Sequence, residues 1–181
     1  FIYASSGGIY GKGEKAFKEN SPFLPLNNLN FYLGSKACSE ILTQGYLKEF
    51  CITVIRPFFI YGQNQNKTML LPRLMNSIAK ELPINLAGSN GIRINPIHVE
   101  DASLGAIETL KYEESNIYNL AGPDIYSLRE IIEKIGTFLG KNPNLKVLDE
   151  HPNSLIGDIS LMSEKLHFPK KRLFQSLEDI Y

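Results

Sequence analysis

The chain has 181 residues, 43% of them apolar and 21% charged, and its 19 basic residues balance 19 acidic ones. That length supports one well-cored domain or a large piece of a bigger one, and the balanced charge leaves no global field to favour nucleic acid or an anionic membrane as a partner. The two cysteines, Cys38 and Cys51, lack metal-type spacing and read as reduced, packed thiols. No apolar run approaches the ~18 residues of a membrane span and no signal peptide is visible, so a cytoplasmic protein is expected.

Phe1-Ile2-Tyr3-Ala4 reads as a buried strand already under way, with no initiator Met. An α/β domain seldom opens so, and N-terminal sequence is expected to be missing. The strand runs into Ser5-Ser6-Gly7-Gly8, where two glycines let the backbone turn tightly and approach a ligand. Tyr10 to Asn30 is a long polar loop punctuated by Pro22 and Pro25. From about Phe31 to Phe50 the spacing predicts a helix capped by Asn30, with Leu33, Ala37, Ile41, Leu42, Tyr46 and Phe50 on its apolar face. Tyr32 and Lys36 fall one turn apart on this helix, where an ammonium beside a phenol favours the ionised phenol. The spacing alone decides little, because random placement gives roughly 0.7 such pairs in this composition.

Cys51 to Pro57 is a continuous β-branched, apolar run suited to a strand covered on both faces, as in a parallel sheet. It ends at Arg56-Pro57-Phe58-Phe59-Ile60-Tyr61-Gly62. Ligands of such sheets gather at the carboxyl ends of the strands, so this segment and Ser5-Ser6 are expected to face one crevice. A helix is read over 68–81, and a hairpin over Leu86 to Ile97 about the turn Gly88-Ser89-Asn90-Gly91. Asp101 is read as the cap of a helix from Ala102 to Lys111, and Ile117 to Gly122 as a strand. Ser127 and Glu130 form a capping box that opens a helix to Leu139, with Gly140 as its stop. A short strand at Leu145 to Leu148 and a short helix at Ser160 to Leu166 follow, and the end of the chain from Ser176 reads as the first turns of another helix. The alternation of strands and helices predicts an α/β fold.

Five segments stand in one order: Ser5-Ser6-Gly-Gly-Ile-Tyr10-Gly11, Tyr32-Leu-Gly-Ser-Lys36, Arg56-Pro57-Phe-Phe-Ile-Tyr61-Gly62, Ile97-His-Val-Glu-Asp101 and Tyr118-Asn119-Leu-Ala-Gly122. This set resembles the successive motifs of the extended short-chain dehydrogenase/reductases, the NAD-dependent epimerase/dehydratase family acting on nucleotide sugars. The resemblance implies the C-terminal part of a Rossmann-type doubly wound parallel sheet over residues 1–62. It implies a small α/β substrate-binding domain over 63–181, with 97–122 packing back on the Rossmann part. Carried across by motif, Ser6, Tyr32 and Lys36 are the catalytic set: Tyr32 the general acid/base, Lys36 the ligand of the nicotinamide ribose hydroxyls. Hydride removal from a carbinol carbon requires a base at its hydroxyl, and a serine can share and orient that oxygen. NAD or NADP would lie against Ser5, Tyr32, Lys36, Pro57 and Phe58, and a nucleotide-sugar substrate against Gly7, Gly8, Phe59 and Arg93. Lys67 and Arg73 are further candidates for the diphosphate, while His98 and Asp101 read as structural.

The departures are as informative. No G-x-x-G-x-x-G or G-x-G-x-x-G run is present, and neither Gly7-Gly8 nor Gly11-Lys12-Gly13 has the spacing of a pyrophosphate loop. Against the family pattern, the first four strands of the nucleotide-binding sheet would be absent. Gly7 and Gly8 occupy the positions of the acid/base pair of sugar 4,6-dehydratases, which disfavours elimination of water. Phe59 stands where UDP-sugar epimerases carry Asn, and Leu155 replaces an arginine. Arg93 is offset by one residue from the family's arginine, which in a strand reverses its direction. The resemblance therefore implies a portion of an NAD(P)-dependent nucleotide-sugar epimerase, with a 4-ketoreductase or dehydrogenase, or a non-catalytic fragment, as alternatives. Family members pair through the Tyr/Lys helix, so a homodimer is implied there, where Leu42, Tyr46 and Phe50 suit an interface or a core equally. The sugar, its nucleotide and the choice of NAD or NADP stay open.

Overall fold

The computed structural model describes residues 1–180. In chain order the elements are β1 (Ile2–Ala4), α1 (Phe31–Thr43), β2 (Thr53–Pro57), β3 (Ile60–Tyr61), α2 (Leu70–Ala79), β4 (Ile84–Ala87) and β5 (Arg93–Ile94). They continue with β6 (Ile97–His98), α3 (Val99–Glu108), β7 (Asn116–Leu120), β8 (Tyr126–Ser127), α4 (Leu128–Leu139), β9 (Leu145–Leu148) and α5 (Ser160–Lys165). The fold is α/β with parallel sheets. Its main sheet has the order β1-β2-β7, all parallel, with Tyr3 opposite Val54 and Ile55 opposite Tyr118. The central strand is buried from Thr53 to Arg56, as a strand covered on both faces must be.

Three buried clusters hold these elements together. Leu71, Leu74, Met75 and Ile78 of α2 meet Ile131, Ile132 and Ile135 of α4 over Leu86 and Ile94. Ile55, Tyr118 and Leu120 of the main sheet are covered by Ala102 of α3 and Met162 of α5. Ile9, Tyr10, Phe58 and Ala121 form a third cluster beneath the loop after β1. Among the described residues no helix is long and apolar enough to cross a membrane.

Five sequence expectations need correction. There is no hairpin over 86–97: β4 pairs parallel with β9, and β5 pairs antiparallel with β8. α1 ends at Thr43 and passes into a 3₁₀ turn at Gln44–Tyr46, short of Phe50. Its inner face is small as well, since only Ala37 and Glu40 are buried. Leu42, Tyr46 and Phe50 line an open apolar groove with Phe1, Tyr3 and Ile52, while Ile41 lies exposed in a second groove and Cys38 is exposed beside it. Finally, α3 begins two residues before Asp101, capped by His98 Nδ1, which accepts from the Glu100 amide at 3.2 Å. The buried Asp101 carboxylate instead accepts from the amides of Lys170 and Lys171 and pairs with His167.

Candidate active site

The carboxyl ends of β1 and β2 lie side by side, and the chain turns sharply after each. Beyond β1, Ser6 caps a 3₁₀ turn at Gly7–Tyr10, its Oγ accepting from the Gly8 amide at 3.1 Å. A hydroxyl used as an acceptor keeps its own proton to donate. The two glycines answer to packing: a Cβ at Gly7 would lie 2.4 Å from the Phe58 ring, and one at Gly8 would lie 2.8 Å from Leu33. Ser5 is buried, with its amide donating to Ile55 O at 2.8 Å and its Oγ enclosed without a partner. Beyond β2, Phe59 takes a left-handed φ of 45° and turns the chain into β3. For a bulky side chain that conformation is strained.

Tyr32 stands in the first turn of α1, which Asn30 caps through Oδ1 to the Leu33 amide at 2.9 Å. The residue is 55% exposed. An open cleft of about 380 Å³ brings Tyr32 together with Ser6, Pro57 and Phe59, and is completed by Ile60, Gln65, Met69, Leu70 and Leu71. Lys36 is placed behind Tyr32, its Nζ 5.7 Å from the Tyr32 ring centroid, 5.4 Å from that of Tyr3, and donating to Ala4 O at 2.9 Å.

Other expected site residues stand elsewhere. The Phe58 ring is buried in the third cluster, 6.1 Å from Tyr10, so the apolar wall of the cleft is made by Pro57 and Phe59 instead. Gly7, Gly8 and Arg93 do not line the cleft, and Arg93 lies exposed on β5 opposite Ser127. Lys67 and Arg73 are exposed and also outside it.

Sequence reasoning missed a buried polar network that joins β2, α1, the loop after β1 and β7. Arg56 of β2 forms a fork-to-fork pair with Glu40 of α1, Nε to Oε1 at 3.0 Å and Nη2 to Oε2 at 2.6 Å. Arg56 Nη1 donates to the Tyr10 hydroxyl and to Glu19 O, and the Tyr10 hydroxyl donates in turn to Asn119 Oδ1 of β7 at 2.9 Å. Burial pushes the Tyr10 phenol above its usual range, opposed in part by Arg56. Burial also disfavours the guanidinium charge, but Glu40 and Tyr10 more than offset it and hold Arg56 firmly protonated. The available signal was a charge inside an otherwise apolar strand run, which demands a partner.

In open parallel α/β sheets ligands bind at the carboxyl ends of the strands, which is where Ser6 and Tyr32 stand. Residues 1–121 match the NAD dependent epimerase/dehydratase family, and the chain belongs to that family. It is 28% identical over 175 residues to dTDP-4-dehydro-6-deoxyglucose reductase of Escherichia coli, covering 87% of this chain and 52% of that protein. It is 28% identical over 157 residues to UDP-glucuronate 4-epimerase of Thermodesulfobacterium geofontis, covering 83% of this chain and 47% of the relative. The chain thus spans about half the length of these curated relatives. Among solved structures, UDP-glucuronic acid 4-epimerase of Bacillus cereus in complex with UDP-glucuronic acid and NAD superposes with a TM-score of 0.86 at 26% identity, over 100% of this chain and 60% of that one.

Proposed function

We propose that this chain is the portion of an NAD(P)-dependent nucleotide-sugar epimerase that carries the acid/base centre. Residues 1–62 would be the carboxyl-side part of its Rossmann sheet and 63–181 mainly its substrate-binding part. The observation that carries the reading is that Ser6 and Tyr32, from separate elements, line one cleft at the carboxyl end of the parallel sheet with Pro57 beside them.

The residues fit a nicotinamide nucleotide. Lys36 uses one donor on Ala4 O, which leaves two N–H groups for ribose hydroxyls, and Pro57 offers a flat apolar wall at the cleft. When bound, the nicotinamide supplies the hydride acceptor and donor. Tyr32 takes the proton from a sugar hydroxyl and returns it, with the Lys36 ammonium 5.7 Å from its ring centroid. Ser6, with its proton free, donates to the same sugar oxygen and holds it in line.

A second reading, a 4-ketoreductase or dehydrogenase, is favoured by Phe59 in the cleft and by the likeness to the E. coli reductase. Net turnover of cofactor, NAD(P)H consumed by a reductase or NAD(P)+ consumed by a dehydrogenase, separates it from epimerisation, which leaves the cofactor unchanged. The test of the shared chemistry is Tyr32→Phe in the protein expressed from its complete reading frame. Turnover of UDP- and dTDP-hexoses should fall at least about 100-fold while nucleotide-sugar binding stays within a few-fold. Unchanged turnover would remove the assignment.

A further inference from the structure

We propose that the buried Arg56–Glu40 pair is a positioning device that sets Tyr32 and Lys36 against the Ser6 loop. The inference rests on the acid/base reading of those three residues. Glu40 follows Lys36 by one helical turn and Tyr32 by two, so all three share one stripe of α1. Arg56 directly precedes Pro57 of the cleft, and Tyr10 ends the 3₁₀ turn that Ser6 caps. One guanidinium therefore bonds to the catalytic helix through Glu40 and to the serine loop through Tyr10, while its own strand forms the cleft wall.

Two features distinguish this from ordinary stabilisation. First, α1 has little apolar anchorage: Ala37 is the only other buried residue along it, and Leu33 is partly buried against the third cluster. Apart from the single Lys36 bond to Ala4 O, the two-bond fork from Arg56 is the directional contact that sets the rotation and axial position of the helix. Second, enclosing two charges is a costly way to gain stability, since apolar side chains of similar volume serve as well or better. What a planar fork adds is geometry, which apolar contact does not supply. Rings of Tyr10 and Phe23 lie 5.0 Å from the guanidinium carbon and fix its plane.

The discriminating variant is the double replacement Glu40→Met with Arg56→Met, compared with Arg56→Lys and with Tyr32→Phe. The apolar pair should keep the urea midpoint near that of the wild type. In the protein from the complete reading frame its kcat should nonetheless fall about 10- to 100-fold on the UDP- and dTDP-hexose panel, with KM within about threefold. Arg56→Lys, which keeps the charge and loses the fork, should show a smaller kcat loss of the same kind. In the 181-residue chain, the NOEs that join the Lys36 ε-methylene to the Ala4–Ser5 backbone should weaken or vanish in both. A double variant with a wild-type midpoint that retains those NOEs and its kcat overturns the proposal. If the double variant does not fold, the NOEs of Arg56→Lys decide alone. Full activity in Tyr32→Phe would instead overturn the acid/base reading, and the NOEs would still decide whether the pair positions the helix.

Discussion

Lys36 Nζ donates a 2.9 Å hydrogen bond to the carbonyl of Ala4, the last residue of β1, and so ties the tyrosine helix to the strand that delivers Ser6. Lys36→Met removes both that bond and the ammonium beside Tyr32 while keeping the aliphatic stem. Because the side chain is only half-buried, unfolding free energy should change by less than about 1 kcal/mol. On the proposed acid/base reading turnover should fall about 100-fold or more, since the tie between the tyrosine helix and β1 and the donor proposed for the ribose are both lost. Paired urea titrations and kcat measurements separate the two effects.

Two glycines make opposite predictions. Gly34 lies in α1 between Tyr32 and Lys36, and a Cβ there meets nothing within 4 Å. Gly34→Ala should stabilise the chain by about 0.5–1 kcal/mol through the lower helical cost of alanine. A Cβ on Gly122 would lie 1.8 Å from Pro96 O, a backbone atom fixed where Gly122 N bonds Asn95 O. No rotamer relieves that collision, so Gly122→Ala should cost about 3 kcal/mol or more. Denaturant midpoints that move in the same direction for both would contradict these surroundings.

Much of the fold was legible because its signals are local. The β-branched run ending at Pro57 gave β2, and the capping box at Ser127 and Glu130 is formed in both directions. Pairing was not legible. Leu86 and Ile94 announce strands, but period-two patterning says nothing about partners, and theirs are Val147 and Tyr126 rather than each other. Asp101 was misread for a related reason: its partners, His167, Lys170 and Lys171, lie more than sixty residues away. At the site, motif order placed Ser6 and Tyr32 in one cleft, yet Phe58 turned inward because Gly7 leaves room for its ring. Arg56 and Glu40 went unpaired in the sequence because strand and helix patterns score each alone.

Stability should fall at alkaline pH. Tyr61 is fully buried, its hydroxyl 2.9 Å from Ser176 Oγ, and burial pushes its phenol up to about 12. A folded pKa above the unfolded value of about 10 means that the native state holds the proton more tightly. The contribution is therefore complete below about pH 10 and is lost as pH rises through about 12. Its size is on the order of 2–3 kcal/mol. Tyr61→Phe should cost about 1 kcal/mol at pH 8 for the lost hydrogen bond. Between pH 10 and 12 its unfolding free energy should decline less steeply than that of the wild type, with Tyr10, Tyr118 and Tyr126, also raised by burial, supplying the remaining slope.

The acid side is governed in part by the first turn of α4. Glu130 accepts from the Ser127 amide and hydroxyl, both at 2.7 Å, and the amide bond foremost holds its carboxyl below the usual range. With the folded pKa lower than the unfolded one, stability is present above about pH 4.3 and is lost as pH falls through the folded value. Ser127→Ala removes the hydroxyl's cap on the Glu130 amide and its bond to the Glu130 carboxylate, leaving the Ser127 amide bond in place. The loss should be about 1 kcal/mol at pH 7. Glu130→Gln keeps an acceptor but cannot titrate, so its stability should decline less than that of the wild type between pH 5 and pH 3. Urea unfolding at those two pH values checks the sign, and a Glu130→Gln variant that declines as steeply as the wild type would show that the acid transition belongs to other carboxylates.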